Sequence, residues 1–153
     1  MTATNHALTG AVIAATVVNP ALGLTLAFLS HFALDALPHF GAHTVASVKS
    51  KEFRYILTTD GIVLTAFLVI VGFAGYKVGY DWWLLPLGGL LAAIPDIMWL
   101  SHYKADLSGA DKEWDIIRKF HKTIQQWERS WGWIVEMVWF VVFTIILNRI
   151  LFS

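Results

Sequence analysis

The sequence predicts an all-α integral membrane protein, in which residues 1–153 form one bundle of about five membrane segments plus an interfacial helix. The composition is the first reason. Hydrophobic residues make up 57% of the chain and charged residues only 14%, whereas about a quarter of a soluble domain is charged. The second reason is that the apolar residues fall into five separate stretches, and the third is that lysine and arginine concentrate between those stretches.

The first two apolar segments are joined by a very short connection. Ala7 to Val18 is apolar but would rise only about 18 Å as a helix, against a hydrocarbon core of roughly 30 Å. Asn19 and Pro20 then supply an N-cap and a proline at the first helical position. They predict a second helix that runs to about Leu37. The first segment is therefore either a short, tilted span or one half of a re-entrant hairpin.

Three longer apolar segments follow, at Ile56–Tyr76, Trp82–Leu100 and Trp133–Phe152. Between the last two, the second part of the polar connection has the periodicity of an amphipathic helix. Its apolar residues recur at spacings of three and four: Ile117, Phe120, Ile124, Trp127 and Trp131. We therefore expect an interfacial helix over about 110–130, with tryptophans at the headgroup level.

The basic residues predict the orientation of the chain. Nine of the eleven lysines and arginines fall in the two polar connections, Gly41–Arg54 and Ser101–Ser130. Because cytoplasmic loops carry an excess of basic residues, both connections are predicted to be cytoplasmic. The protein would then be a multi-pass protein of the inner membrane, with its amino terminus in the cytoplasm and its carboxyl terminus outside.

Residues 31–39 read HFALDALPH and place three ionisable side chains in an apolar segment. On a helix, His31, Asp35 and His39 would share one face, and each ionisable group in hydrocarbon costs about 2.5–3.5 kcal/mol on insertion scales. A shared divalent metal ion would recover that cost. The chain has no cysteine, and imidazole with carboxylate favours zinc, with manganese or iron as alternatives. Pro38 could end the helix and turn His39 away.

The predicted topology brings further polar residues to the same cytoplasmic end. His6 and Asp96 are expected to complete the metal shell, and Asp60 or Glu136 to act as general base or to orient a ligand. The basic face of the interfacial helix would bind the phosphate of a substrate. Its candidate residues are Arg118, His121 and Lys122.

Each of these residues also has a structural interpretation. The two histidines of HFALDALPH can simply form hydrogen bonds between helices. Asp60 can cap a helix, and Asp96, directly after Pro95, can satisfy backbone groups that the proline frees. Glu136 can pair with a basic residue at the interface. The joint placement of these residues, rather than any one of them, indicates a site.

Two short motifs resemble a known family. His6-Ala-Leu-Thr-Gly10 matches an amino-terminal H-x-x-x-G, and Pro95-Asp96 matches the start of a P-D-x-D-H motif after a glycine-rich span. Both motifs are found in the YdjM-like family of small inner-membrane proteins, which are described as metal-dependent hydrolases. Ile97-Met98-Trp99 replaces the rest of the second motif, and HFALDALPH can supply Asp35 and His39 instead.

The sequence therefore predicts a metal-dependent hydrolase at the cytoplasmic headgroup level, acting on an amphiphilic, phosphate-bearing lipid. Two alternatives remain open. A divalent-cation or proton transporter would use the intramembrane histidines and aspartates as relay positions, and a non-catalytic membrane protein would use them as a buried hydrogen-bond network. The chain could act as a homo-oligomer. Its net charge of zero gives no indication of nucleic-acid binding.

Overall fold

The computed structural model describes residues 1–41, 49–109, 116–124 and 127–153, with the backbone alone at 106, 117, 118, 121 and 122. These residues form six α-helices, so the predicted all-α class is confirmed. The helices are α1 (Ala3–Thr16), α2 (Pro20–Asp35), α3 (Lys51–Lys77), α4 (Leu84–Ser108), α5 (Ile116–Ile124) and α6 (Gly132–Phe152). Within the described ranges, β-pairing is limited to an isolated bridge between His39 and Glu128.

Local chemistry explains where several helices begin and end. Asn19 accepts a hydrogen bond from the backbone N–H of Leu22 at 3.1 Å, so it caps α2 as predicted. Ser50 caps α3 in the same way. α4 ends at Gly109, whose φ of +70° is the left-handed conformation that glycine adopts without strain.

Three helices are long and apolar enough to cross a membrane: α3, α4 over Leu84–Ala105, and α6. Each of the five predicted membrane segments contains a helix, but α1 and α2 are too short to span. α1 has 14 residues and α2 has 16, so they rise only about 21 and 24 Å, less than the hydrocarbon core of roughly 30 Å.

Helix α1 lies at the centre of the bundle and contacts α2, α3, α4 and α6. Its closest approach is to α4, where Gly10 meets the backbone of Gly88. A β-carbon on Gly10 would lie 2.7 Å from the β-carbon of Ala92, so the two helices can approach this closely only because Gly10 has no side chain. Leu8 and Leu85 belong to the core that surrounds this contact.

The polar residues of interest gather at one end of the bundle, which we call the His6 end. Helices α1 and α6 begin at this end, and α2 ends there. The starts of α1 and α6 are linked by a hydrogen bond from the N–H of Thr2 to Glu136. Asp35, the last residue of α2, lies beside His6. Asp60 of α3 also contacts the start of α1, so this end collects carboxylates from three neighbouring helices.

The predicted interfacial helix over 110–130 is too long at its carboxyl end. Helix α5 covers Ile116–Ile124, while 110–115 and 125–126 lie outside the described residues. Trp127 and Arg129 are not helical, because their backbone pairs with the segment after α2. His39 donates its N–H to the carbonyl of Trp127 at 3.3 Å and accepts from the N–H of Arg129 at 2.9 Å. Trp131 is already the N-cap of α6.

Candidate metal centre

Two histidines and two aspartates meet inside the His6 end, contributed by α1, α2 and α4. The Nε2 atom of His6 lies 3.1 Å from Asp35 Oδ1 and 3.8 Å from Asp96 Oδ2. The Nε2 atom of His31 lies 3.3 Å from Asp35 Oδ2 and 4.0 Å from Asp96 Oδ1. One ligand atom from each of His6, His31 and Asp96 falls within 4.8 Å of the others. The cluster can therefore be tested as a cation site.

The ring of His31 is held in a defined orientation by the backbone of α4. Its Nδ1 donates to the carbonyl of Ala92 at 2.8 Å, which leaves Nε2 to face the two carboxylates. A backbone carbonyl bound to the far ring nitrogen is a common way to orient a metal-ligating histidine. The His6 ring stacks on that of His31, with centroids 4.1 Å apart, and both Nε2 atoms lie near the carboxylate of Asp35.

The spacing of these atoms suits a small divalent cation. Zinc bonds of about 2.0–2.1 Å in a tetrahedral site put the ligand atoms roughly 3.3–3.4 Å from one another. The distances from His6 and His31 to Asp35, 3.1 and 3.3 Å, are close to that value, and those to Asp96, 3.8 and 4.0 Å, are longer. In the tautomer fixed by Ala92, the Nε2 lone pair of His31 faces carboxylate oxygens. Such an arrangement is unfavourable without a proton or a metal ion between them. The residues therefore fit a divalent metal.

Asp35 is the most enclosed carboxylate of the cluster. Its side chain is fully buried, and its Oδ1 accepts a hydrogen bond from the Met1 amino group at 2.7 Å. A buried carboxylate is costly unless it is paired. The Met1 amino group supplies that pairing. This amino group was not considered in the sequence-based prediction, because its approach to Asp35 depends on how α1 packs against α2.

Asp60 was predicted as a general base, and the structure places it against the amino-terminal end of α1. Its two oxygens accept from the N–H of Ala3 at 2.8 Å, the N–H of Thr4 at 3.2 Å and the Thr4 hydroxyl at 2.5 Å. These are the unpaired N–H groups of a helix start, which favour a carboxylate partner. Asp60 therefore performs the capping role that the sequence left open, but for α1 rather than for its own helix.

Glu136, the other candidate base, also binds backbone groups. Its Oε2 accepts from the N–H of Thr2 at 2.9 Å, and its Oε1 accepts from the N–H of Phe40 at 3.1 Å. It is buried and joins α6 to the start of α1 and to the segment after α2. The sequence suggested that Glu136 pairs with a basic side chain, whereas its partners here are backbone amides and the side-chain amide of Asn5.

His39 lies outside this cluster. Helix α2 ends at Asp35 rather than near Leu37, since Pro38 disfavours the helical conformation of the residue before it. The His39 ring is buried and donates from Nδ1 to the Leu37 carbonyl at 2.7 Å. Its Nε2 has no hydrogen-bond partner among the described residues. Burial lowers the pKa of His39, which favours its neutral form.

The remaining candidates concern the proposed substrate. The side chains of Arg118, His121 and Lys122 lie outside the described residues, although the backbone of α5 carries them. Phe120 on the same helix contacts Phe32 of α2, with ring centroids 5.2 Å apart. Phe32 in turn packs edge-on against His31. Helix α5 therefore lies close to the cluster through this aromatic pair.

Comparison with protein-family models, with curated proteins and with solved structures finds no match for this chain. The resemblance to the YdjM-like family therefore stays a prediction. The geometry does offer a physical reason for the H-x-x-x-G spacing. Gly10 lies one turn after His6 and permits the close contact between α1 and α4, which carries His6 towards Asp96.

Proposed function

We propose that this protein is a metal-dependent membrane hydrolase that acts at the cytoplasmic headgroup level on an amphiphilic, phosphate-bearing lipid. The observation that carries the proposal is the orientation of His6 and His31. Both present Nε2 to carboxylate oxygens in a buried site, and the backbone of α4 fixes the ring of His31. Two imidazoles and two carboxylates that converge in one buried place are also the ligand types that zinc, manganese and iron accept.

His6, His31 and Asp96 would hold the metal, which we expect to be zinc, or else manganese or iron. Three protein ligands leave a position open, as in catalytic zinc sites. A bound ion would lower the pKa of its water to about 7 and polarise an ester oxygen. The Met1 amino group binds Asp35 Oδ1, whereas Asp35 Oδ2 lies 3.3 Å from the Nε2 atom of His31, so Oδ2 would orient the attacking water and accept its proton.

Asp60 and Glu136 would act as positioning residues in this proposal rather than as general bases. Both already accept hydrogen bonds from backbone N–H groups on each of their oxygens, and a carboxylate used in this way is a weaker proton acceptor. Together they fix the first turn of α1, which carries His6. Their loss would displace a ligand rather than remove the proton acceptor.

The helix lengths support a specific membrane arrangement. α3, α4 and α6 would span the bilayer, and α1 with α2 would form a re-entrant hairpin that enters and leaves at the His6 end. The amino terminus would then be cytoplasmic and the carboxyl terminus outside, in the inner membrane. α5 would lie at the interface, where its exposed Ile116 and Phe120 can contact lipid.

The first experiment is elemental analysis of the full-length protein purified without chelators. We expect about one zinc, manganese or iron ion per chain, and loss of that ion in His31→Ala and Asp96→Asn. His39→Ala is the matched control, since His39 is also a buried histidine but lies outside the cluster. It should keep the metal.

The second experiment tests the reaction. The metal-loaded protein is assayed with a panel of phospholipids and polyprenyl phosphates, and the same preparation is assayed in vesicles for zinc and manganese flux. Hydrolysis that depends on the metal and on Asp35 supports the proposal. Metal binding without any hydrolysis, accompanied by cation flux, would replace the enzyme with a transporter. A metal-free wild-type protein that cannot be loaded would leave only the structural role.

A further inference from the structure

The His6 end of the bundle is closed by a pair of chain segments, which we call the strap: His39–Phe40 and Trp127–Arg129. Two backbone hydrogen bonds join its halves, and Phe40 is bound to Glu136. Gly132 lies directly against the backbone of His39. The strap therefore covers the end of the bundle at which α1 begins, where Met1 and His39 are both buried.

The cluster under the strap is exposed on one side only. The side chains of His6, His31 and Asp35 are fully buried, whereas that of Asp96 is 25% exposed. Asp96 lies in α4, inside the apolar span Leu84–Ala105 and nine residues before its end. Ile97 beside it is 37% exposed, and Trp99 and Leu100, one turn further along α4, are partly exposed. The opening therefore lies on an apolar helix surface, rather than at the end of the bundle.

We propose that ligands reach this site sideways from the bilayer, through an opening beside Asp96, and that the strap closes the route from water. This inference rests on the proposed function and narrows its substrate class. A substrate would have to reside in the membrane and present a polar group attached close to its hydrocarbon part. A water-soluble phosphate ester would not reach the two histidines, even though its reacting group has the same chemistry.

The route can be tested on the wild-type protein by labelling carboxyl groups. The protein is first stripped of metal with a chelator. Freeze–thawed proteoliposomes that contain it are then treated with dicyclohexylcarbodiimide, which dissolves in the bilayer, or with a cationic, water-soluble carbodiimide. Modified residues are identified by peptide mass spectrometry. We expect Asp96 to react with the lipid-soluble reagent and not with the water-soluble one. Glu52, an exposed residue near the start of α3, is the control that should react from water.

Labelling can test the lateral route independently of the proposed hydrolase function, because the reaction of the carbodiimide with Asp96 requires neither a bound metal nor the hydrolysis of a lipid. Modification of Asp96 by the water-soluble reagent, alone or together with the lipid-soluble one, would overturn the lateral route, and so would modification by neither. Preincubation with zinc should protect Asp96. Lipid-side labelling that zinc does not reduce would support the route but contradict the metal site.

As a second measurement, a nitroxide label is placed on Asp96→Cys and its collisions with oxygen and with a water-soluble nickel chelate are compared. At position 96, collisions with oxygen should be more frequent than collisions with the nickel chelate. The same result is expected for a label at Val69→Cys, because Val69 is 69% exposed on the spanning helix α3. Ser108→Cys, at the exposed end of α4, is the water-side reference. A label at 96 that behaves like the one at 108 would contradict the lateral opening.

Discussion

Replacing Gly10 with alanine should damage both the fold and the candidate metal centre. The new β-carbon would meet the carbonyl oxygen of Gly88 and would lie 2.7 Å from the β-carbon of Ala92. Ordinary contacts begin near 3.4 Å, so α1 and α4 would have to separate by at least about 0.7 Å. Backbone atoms of two packed helices cannot turn aside as a flexible side chain can.

The magnitude follows from this displacement. Overpacking of a tight contact costs about 1–3 kcal/mol, which corresponds to a fall in Tm of about 2–12 °C for a chain of this size. His6 lies one turn before Gly10 and would move away from Asp96 by a similar distance, lengthening a separation that is already 3.8 Å. We expect metal affinity to fall by about 10–100-fold, as when the support of a ligand is lost.

The assay combines thermal unfolding in detergent, followed by circular dichroism, with calorimetric titration of zinc. Gly61→Ala is the matched control, because no described atom lies within 4 Å of the position its β-carbon would take. That substitution should leave zinc affinity unchanged and can raise stability by up to about 1 kcal/mol through helix propensity. A Gly10→Ala protein with wild-type Tm and zinc affinity would refute the packing argument.

Three further substitutions test separate contacts. Gly132→Ala puts a β-carbon against the backbone of His39 and should speed amide exchange in the strap; unchanged exchange would contradict the contact. Asp60→Asn should lower the free energy of unfolding by about 1–2 kcal/mol, since its bonds to the start of α1 weaken, and should also weaken zinc binding, because this turn carries His6; loss of metal at unchanged stability would contradict capping. Trp139→Phe removes the bond from its indole N–H to Thr9 and should cost about 0.5–1.5 kcal/mol, measured by denaturant unfolding against Trp133→Phe, a tryptophan 53% exposed on the same helix.

The positions of the helices could be predicted from the sequence because apolar segments and caps are local signals. Asn19 and Pro20 marked the start of α2 correctly, and the four-residue spacing put His31 and Asp35 on one face. The number of membrane crossings could not be predicted as well. Crossing depends on helix length, and Asp35 ends α2 two residues earlier than the apolar pattern does.

Contacts between distant residues explain what the sequence could not predict. The spacing of Trp127 continued the helical pattern of α5, but its backbone pairs with His39 instead, and no local signal marks that pairing. Likewise, the carboxylates of Asp60 and Glu136 suited catalysis as well as capping until their partners were known. The type of side chain limits the roles that a residue can have, and its contacts in the folded protein determine which of those roles it performs.

The hydrogen bonds that hold the first turn of α1 come from residues that are synthesised much later. Thr2 is held by Glu136, 134 residues later in the chain, and Ala3 by Asp60, 57 residues later. During synthesis α1 therefore emerges long before the groups that hold it. The hydrogen bond to Thr2 can form only after α6 has been inserted, so the first turn of α1, which carries His6, is completed late. A nascent chain arrested before α6 should bind zinc more weakly than the full chain.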